Sequence, residues 1–152
     1  MNPQLAHQWY ELYHVDIYRF ALSILRSPEQ AEDVLQETFV KLLTGKFSSP
    51  TPGKEKAWLF KVARNLCMDL LRKRIRELEL PPDIAAPAGE NWEFLELIAP
   101  LGQDEQMIVS LKFIGGFTHA EIAKITGTTV HAAKKRYERA IQKLREEMEV
   151  RK

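Results

Sequence analysis

Apolar residues recur at helical spacing along almost the whole chain, and no stretch alternates convincingly in the manner of a half-buried strand. A first helix is expected from about Pro3 to Arg26, with Leu5, Trp9, Leu12, Tyr13, Ile17, Phe20, Ile24 and Leu25 on one broad face. Ser27-Pro28 then reads as an N-cap followed by proline at the first helical position. Glu29, Glu32 and Asp33 fall where a helix N-terminus favours negative charge. This second helix turns Ala31, Leu35, Thr38 and Leu42 inward and ends near Gly45. Ser48-Ser49-Pro50-Thr51-Pro52-Gly53 is a loop by composition. A third long helix follows, from about Lys54 to Leu78, with Leu59, Val62, Ala63, Leu66 and Leu70 on one stripe.

Pro81-Pro82-Asp83-Ile84-Ala85-Ala86-Pro87-Ala88-Gly89 cannot continue a helix and marks a linker. Short helices are expected at about Trp92 to Ile98 and Asp104 to Ile114, the latter stopped by Gly115-Gly116. Thr118-His119-Ala120-Glu121 is a capping box that opens a short helix, Ala120 to Ile125, with Ala120, Ile122 and Ala123 small or apolar enough for close packing. Gly127 can end it in a left-handed conformation, and Thr128 or Thr129 can cap the next. The last helix runs from Val130 to about Met148, with Val130, Ala133, Tyr137, Ala140, Ile141 and Leu144 inward. Thr129, Ala132, Lys135, Arg136, Arg139 and Lys143 fall on its other side. A short capped helix, a glycine turn and a long helix with one apolar and one basic face make a helix-turn-helix. A helical hairpin used only for packing has the same outline; the one-sided basic face favours DNA.

The expectation is therefore an all-α chain of two small helical domains joined by a flexible linker: residues 1–77, linker 78–91, and residues 92–152. Composition agrees with a folded, soluble chain: 152 residues, 45% hydrophobic and 28% charged. No apolar run is long enough to enter a membrane, and Met1 to Gln8 lacks a secretory pattern. A single cysteine, Cys67, leaves no internal disulfide and no thiolate cluster, which fits a reducing cytoplasm. His7, His14, His119 and His131 have no metal-ligand spacing, and no nucleophile–base constellation can be assembled. Neither a metal, a cofactor nor an enzymatic activity is expected.

Net charge is only +1, but its distribution changes the picture. Basic residues crowd Lys54 to Arg76, acids without Lys or Arg fill Glu77 to Glu105, and basics dominate again after Val130. Two basic blocks suit two contacts with a polyanion, although each block alone is equally a solvated helix face. On the third helix Trp58, Lys61 and Asn65 share a face: an aromatic supports an unstacked base, an amide reads its edge, and lysine holds phosphate. Trp58 at this spacing serves equally well as core. On the second helix Asp33, Gln36, Glu37 and Val40 point away from the inward stripe, and such a mixed acidic and apolar strip suits a protein groove better than DNA.

The class is decided by Ala31-Glu32-Asp33-Val34-Leu35-Gln36-Glu37-Thr38-Phe39 with the preceding Ile17-Tyr18-Arg19-Phe20-Ala21. This pair of segments closely resembles the core-polymerase-binding region of extracytoplasmic-function (ECF, group IV) RNA polymerase sigma factors. Ala57-Trp58-Leu59-Phe60-Lys61-Val62-Ala63-Arg64-Asn65-Leu66 with Asp69-Leu70-Leu71-Arg72-Lys73-Arg74 is similar to the family's melting and minus-ten helix. The C-terminal half resembles its minus-thirty-five region, in the expected order.

The resemblance implies specific roles. Asp33, Gln36, Glu37 and Val40 would meet the clamp of the polymerase beta-prime subunit. Trp58, Lys61, Arg64, Asn65 and Arg72 would hold minus-ten DNA, with the loop Gly45 to Lys56 enclosing a flipped base. Thr118, Thr129, Ala132, Lys135, Arg136, Arg139 and Lys143 would hold the minus-thirty-five element. It also implies contact with the beta flap, an anti-sigma protein that masks these surfaces, and no small cofactor. His131-Ala132-Ala133-Lys134-Lys135 departs from the family's common glycine-threonine-valine-lysine-serine run, so hydroxyls that often touch phosphate are missing. The loop at Phe47 to Lys54 is less typical as well.

Overall fold

The structure, a computed structural model, describes residues 2–45, 50–79 and 92–150. The described residues form helices and connecting turns, with no strand among them. The chain divides into two compact units, Met1–Asp83 and Ile84–Lys152. Most of the expected linker, from residue 80 to 91, lies outside the described residues, as do residues 46–49 of the loop after the second helix.

In the first unit α1 (Pro3–Leu25), α2 (Pro28–Thr44) and α3 (Glu55–Arg76) pack on one another. Their ends are set locally. Asn2 accepts from the Gln4 amide at 2.9 Å, with Pro3 at the first helical position. Arg26 adopts a left-handed conformation, φ 55°, and stops α1. The Ser27 hydroxyl then accepts from the Gln30 amide at 3.2 Å and starts α2, so the connection needs only two residues. Gly45, φ 58°, ends α2.

The core is built from Ile17, Phe20 and Leu25 of α1, Val34 and Leu42 of α2, and Leu59, Phe60 and Cys67 of α3, all buried. Phe20 and Phe60 meet edge to face, with centroids 5.4 Å apart. Each such side chain contributes roughly 1.5–3 kcal/mol by leaving water. Thr38 is buried among them without cost to its hydroxyl, which donates to the Val34 carbonyl at 2.7 Å.

Two expectations are corrected here. Leu12 is 66% exposed, not part of the apolar face. It lies about 120° round α1 from Ala6 and Ile24, too far to share their side. Arg74, counted above in a basic block, is buried. Its guanidinium donates to the Leu25 carbonyl at 2.8 Å and to the Gln30 side chain. The last carbonyls of a helix have no partner within it, so Arg74 closes the end of α1 and ties α3 to the α1–α2 turn. Burial pulls its pKa below the ordinary value, and the nearby Glu79 carboxylate opposes that.

The second unit contains α4 (Trp92–Ile98), α5 (Gln103–Phe113), α6 (His119–Thr126) and α7 (Val130–Val150). Gln106 of α5 donates to the carbonyls of Ile98 at 3.2 Å and Leu101 at 3.0 Å, which joins α5 to the end of α4. The turn after α5 needs glycine: a Cβ on Gly115 would lie 2.5 Å from the Phe117 ring and 2.7 Å from the Leu111 carbonyl. The capping box opens α6 as expected, with Thr118 Oγ1 accepting from the Glu121 amide at 3.2 Å and Glu121 accepting from the Thr118 amide at 3.0 Å. Gly127, φ 70°, ends it. Thr129 caps α7 by accepting from the Ala132 amide at 3.1 Å.

Ile122, Ala123 and Ile125 of α6 and Ala133, Ala140 and Leu144 of α7 are buried, and small residues let α6 and α7 approach closely. Ala120 is exposed, about 200° round α6 from Ile122. Val130, at the first position of α7, is half exposed, and Tyr137 and Ile141 are only partly covered.

Candidate nucleic-acid and partner interfaces

On α2 the residues between the buried positions face out: Asp33, Gln36, Glu37 and Val40 are all exposed. They line one open groove of about 460 Å³ whose other wall is α3, through Leu66, Asp69 and Leu70. Leu66 and Leu70 belong to the expected inward stripe, but they are only half-buried. The groove thus has an apolar floor and carboxylates at its rim, which suits a basic amphipathic helix. The α3 wall is not visible from the pattern of α2 alone.

A second groove, of about 350 Å³, holds Trp58, Lys61 and Asn65 together with Lys41 of α2. Trp58 is half-buried, so it is partly core and partly groove wall. Lys61 and Asn65 are exposed beside it. The remaining two residues of the expected minus-ten set are engaged within α3. Arg64 donates to the Asn65 side chain at 3.3 Å, and its Nε is buried without a partner. Arg72 is paired with Asp69. Cys67 sits behind this face, fully buried; burial pushes its thiol up to about 12, so it is an inert core residue at neutral pH.

In the second unit Ala132, Lys135, Arg136 and Arg139 line one shallow groove along α7. Thr118 and Thr129, both exposed, cap α6 and α7. In each cap the hydroxyl oxygen accepts, so its proton remains to donate to a phosphate oxygen. Lys143 stands apart: it shares a neighbouring groove with Arg136 and Arg139, and its Nζ lies 2.7 Å from Glu105 of α5. Behind the strip, His119 packs on Tyr137 with ring centroids 5.2 Å apart, and Lys112 lies 5.9 Å from the centre of the same ring. No cluster of His, Cys, Asp or Glu among the described residues is arranged to hold a metal ion, and no described helix is long and apolar enough to cross a membrane.

Of the two helical units, one has an acidic-apolar groove beside an aromatic-basic face and the other is a helix-turn-helix with a basic strip, surfaces whose chemistry suits a protein partner and nucleic acid. Comparison with known proteins agrees. Residues 9–77 match the model of Sigma-70 region 2, and residues 92–144 match that of Sigma-70, region 4. The ECF RNA polymerase sigma factor EcfG of Rhodopseudomonas palustris is 32% identical over 136 residues, covering 82% of this chain and 75% of that one. SigX of Bacillus subtilis, another ECF RNA polymerase sigma factor, is 29% identical and covers 93% of this chain and 82% of its own. Among solved structures, the sigma factor RpoE of Bartonella quintana, crystallised with the anti-sigma factor NepR, aligns with a TM-score of 0.82. It is 27% identical, over 96% of this chain and 98% of that one. The chain belongs to the ECF RNA polymerase sigma factors.

Proposed function

We propose that this chain is an alternative sigma factor of the group IV type. It binds core RNA polymerase, directs it to promoters and captures the melted strand, while catalysis stays with the polymerase. The observation that carries the reading is that four exposed α2 residues, Asp33, Gln36, Glu37 and Val40, gather in one groove with α3. A regulator that binds only duplex DNA has no use for that groove.

Residues 1–77 would dock on the beta-prime clamp and hold minus-ten DNA through Trp58, Lys61, Arg64, Asn65 and Arg72. Residues 78–91 would link the two domains. Residues 92–152 would hold the minus-thirty-five element through Thr118, Thr129, Ala132, Lys135, Arg136 and Arg139 and would meet the beta flap; Lys143, the seventh residue of the expected set, is instead paired with Glu105. The work would be done in the cytoplasm, without a cofactor. An anti-sigma protein would mask these faces; the similar sigma factor RpoE of Bartonella quintana is found in complex with the anti-sigma factor NepR. The test is gel filtration of the purified chain mixed with bacterial core polymerase. Co-elution supports the proposal. Separate elution with clear duplex binding would make the chain a conventional helix-turn-helix regulator, and failure at both would make it a degenerate sigma-like protein that titrates a partner.

A further inference from the structure

One basic residue of α7 differs from the others. Lys143 is ion-paired with Glu105, whereas no carboxylate among the described residues lies within ion-pair distance of Lys135, Arg136 or Arg139. Glu105 is held from two directions. The oxygen that meets Lys143 Nζ at 2.7 Å also accepts from the Gly102 amide at 3.2 Å, just before the first turn of α5. Its side chain is only 15% exposed, so the carboxylate is fixed in place before any ligand arrives.

A pair at a solvent margin is weak in itself, and DNA phosphate would compete for the lysine. Position decides the matter. With a rise of about 1.5 Å per residue, Lys143 lies about 20 Å along α7 from Val130. Lys135 and Arg139 lie only about 8 and 14 Å along it. A helix that enters by its N-terminal end meets a major groove about 12 Å wide. Lys135 and Arg139 then reach the groove's walls, while Lys143 stands farther out over the flanking backbone, where an unpaired lysine reaches a phosphate and a paired one does not. Asp104 and Glu146 line the same cleft as Glu105, so beyond Arg136 and Arg139 a phosphate strand approaching there meets three carboxylates.

We infer that Glu105 is an intramolecular stand-in for a DNA phosphate: it neutralises Lys143, and the phosphate contacts of α7 end at Arg139. The inference rests on the reading of α7 as the duplex-binding helix. It makes Glu105 a positioning residue that limits affinity for DNA in general without touching the residues that read bases.

The test is the salt dependence of binding to a short duplex of mixed sequence, measured with the full-length chain. Each phosphate contact contributes about 0.9 to the slope of log affinity against log salt. Arg139→Ala should flatten the slope by about one contact, and Lys143→Ala should leave it unchanged. Glu105→Gln keeps a side-chain oxygen to accept from the Gly102 amide, yet removes the charge and should steepen the slope by about one contact. Flattening by Lys143→Ala equal to that of Arg139→Ala would overturn the inference, as would an unchanged slope for Glu105→Gln. An unchanged slope for Arg139→Ala would remove α7 from the duplex altogether, and the inference would fall with that reading.

Discussion

Helices α3 and α7 carry similar numbers of basic residues, yet they use them in opposite ways. In α3 three arginines already have partners in the protein: Arg74 closes the end of α1, Arg72 pairs with Asp69 on the surface, and Arg64 bonds to Asn65, while Lys61 stays exposed beside Trp58. In α7 Lys135, Arg136 and Arg139 stand along an open groove, while Lys143 at the far end is paired with Glu105. A strand that is already melted can be held by an aromatic, an amide and a single lysine, since stacking supplies much of the energy. A duplex presents only phosphates and base edges, so its helix must keep its cations available. The count of basic residues is similar; their commitments differ.

The largest effect that would sharpen this contrast is on Arg74. Arg74→Ala leaves the Leu25 carbonyl and the Gln30 side chain without their buried partner, and should destabilise the first unit by about 2–4 kcal/mol. Urea unfolding followed by tryptophan fluorescence checks this, and duplex binding should stay intact if α7 acts alone. An unshifted midpoint would mean that Arg74 is not the brace described.

Next in size is the α2 groove. Asp33→Ala combined with Gln36→Ala should weaken core polymerase binding about tenfold or more, or about 1.4 kcal/mol, with little effect on folding because both side chains are exposed. Titration of labelled core polymerase reads it, and an unaltered affinity would break the assignment of that groove. Arg139→Ala should weaken duplex binding about tenfold while polymerase association is unchanged. If it weakens both equally, the division of labour between the units is wrong.

The smallest effect concerns pH. The Cys67 thiol is raised from 9.0 to about 12, because its burial disfavours the charged form. Below pH 9 the thiol is protonated in both folded and unfolded chains. Between pH 9 and 12 only the unfolded chain loses the proton, so stability falls as pH rises. Tyr13, also raised by burial and by Glu55, acts in the same direction. Urea midpoints measured on either side of pH 9 should decline, and Cys67→Ala should lessen the decline; an identical slope in that variant would remove Cys67 as a cause.

Much of the fold was legible because its signals are local. Ser27-Pro28, the Thr118–Glu121 box and Gly127 each act within one helical turn, and each stands where expected. The exposed strip of α2 was legible for the same reason, since helical period alone separates Asp33 and Gln36 from Val34 and Leu35. The missed features depend on partners distant in sequence. Arg74 bonds 49 residues away to Leu25, and Lys143 reaches 38 residues back to Glu105. Periodicity cannot say whether a basic residue at a helix margin meets solvent or a carbonyl. Leu12 shows the reverse: an apolar residue close to a stripe is not buried unless a neighbouring helix covers its side.

The most direct test of the account is transcription by core polymerase on a supercoiled genomic library, with and without the chain, and sequencing of the new 5′ ends. The account predicts chain-dependent starts that share two upstream elements at a fixed spacing, lost with the Asp33→Ala, Gln36→Ala double variant. No chain-dependent starts, despite an intact chain and active core polymerase, would contradict it.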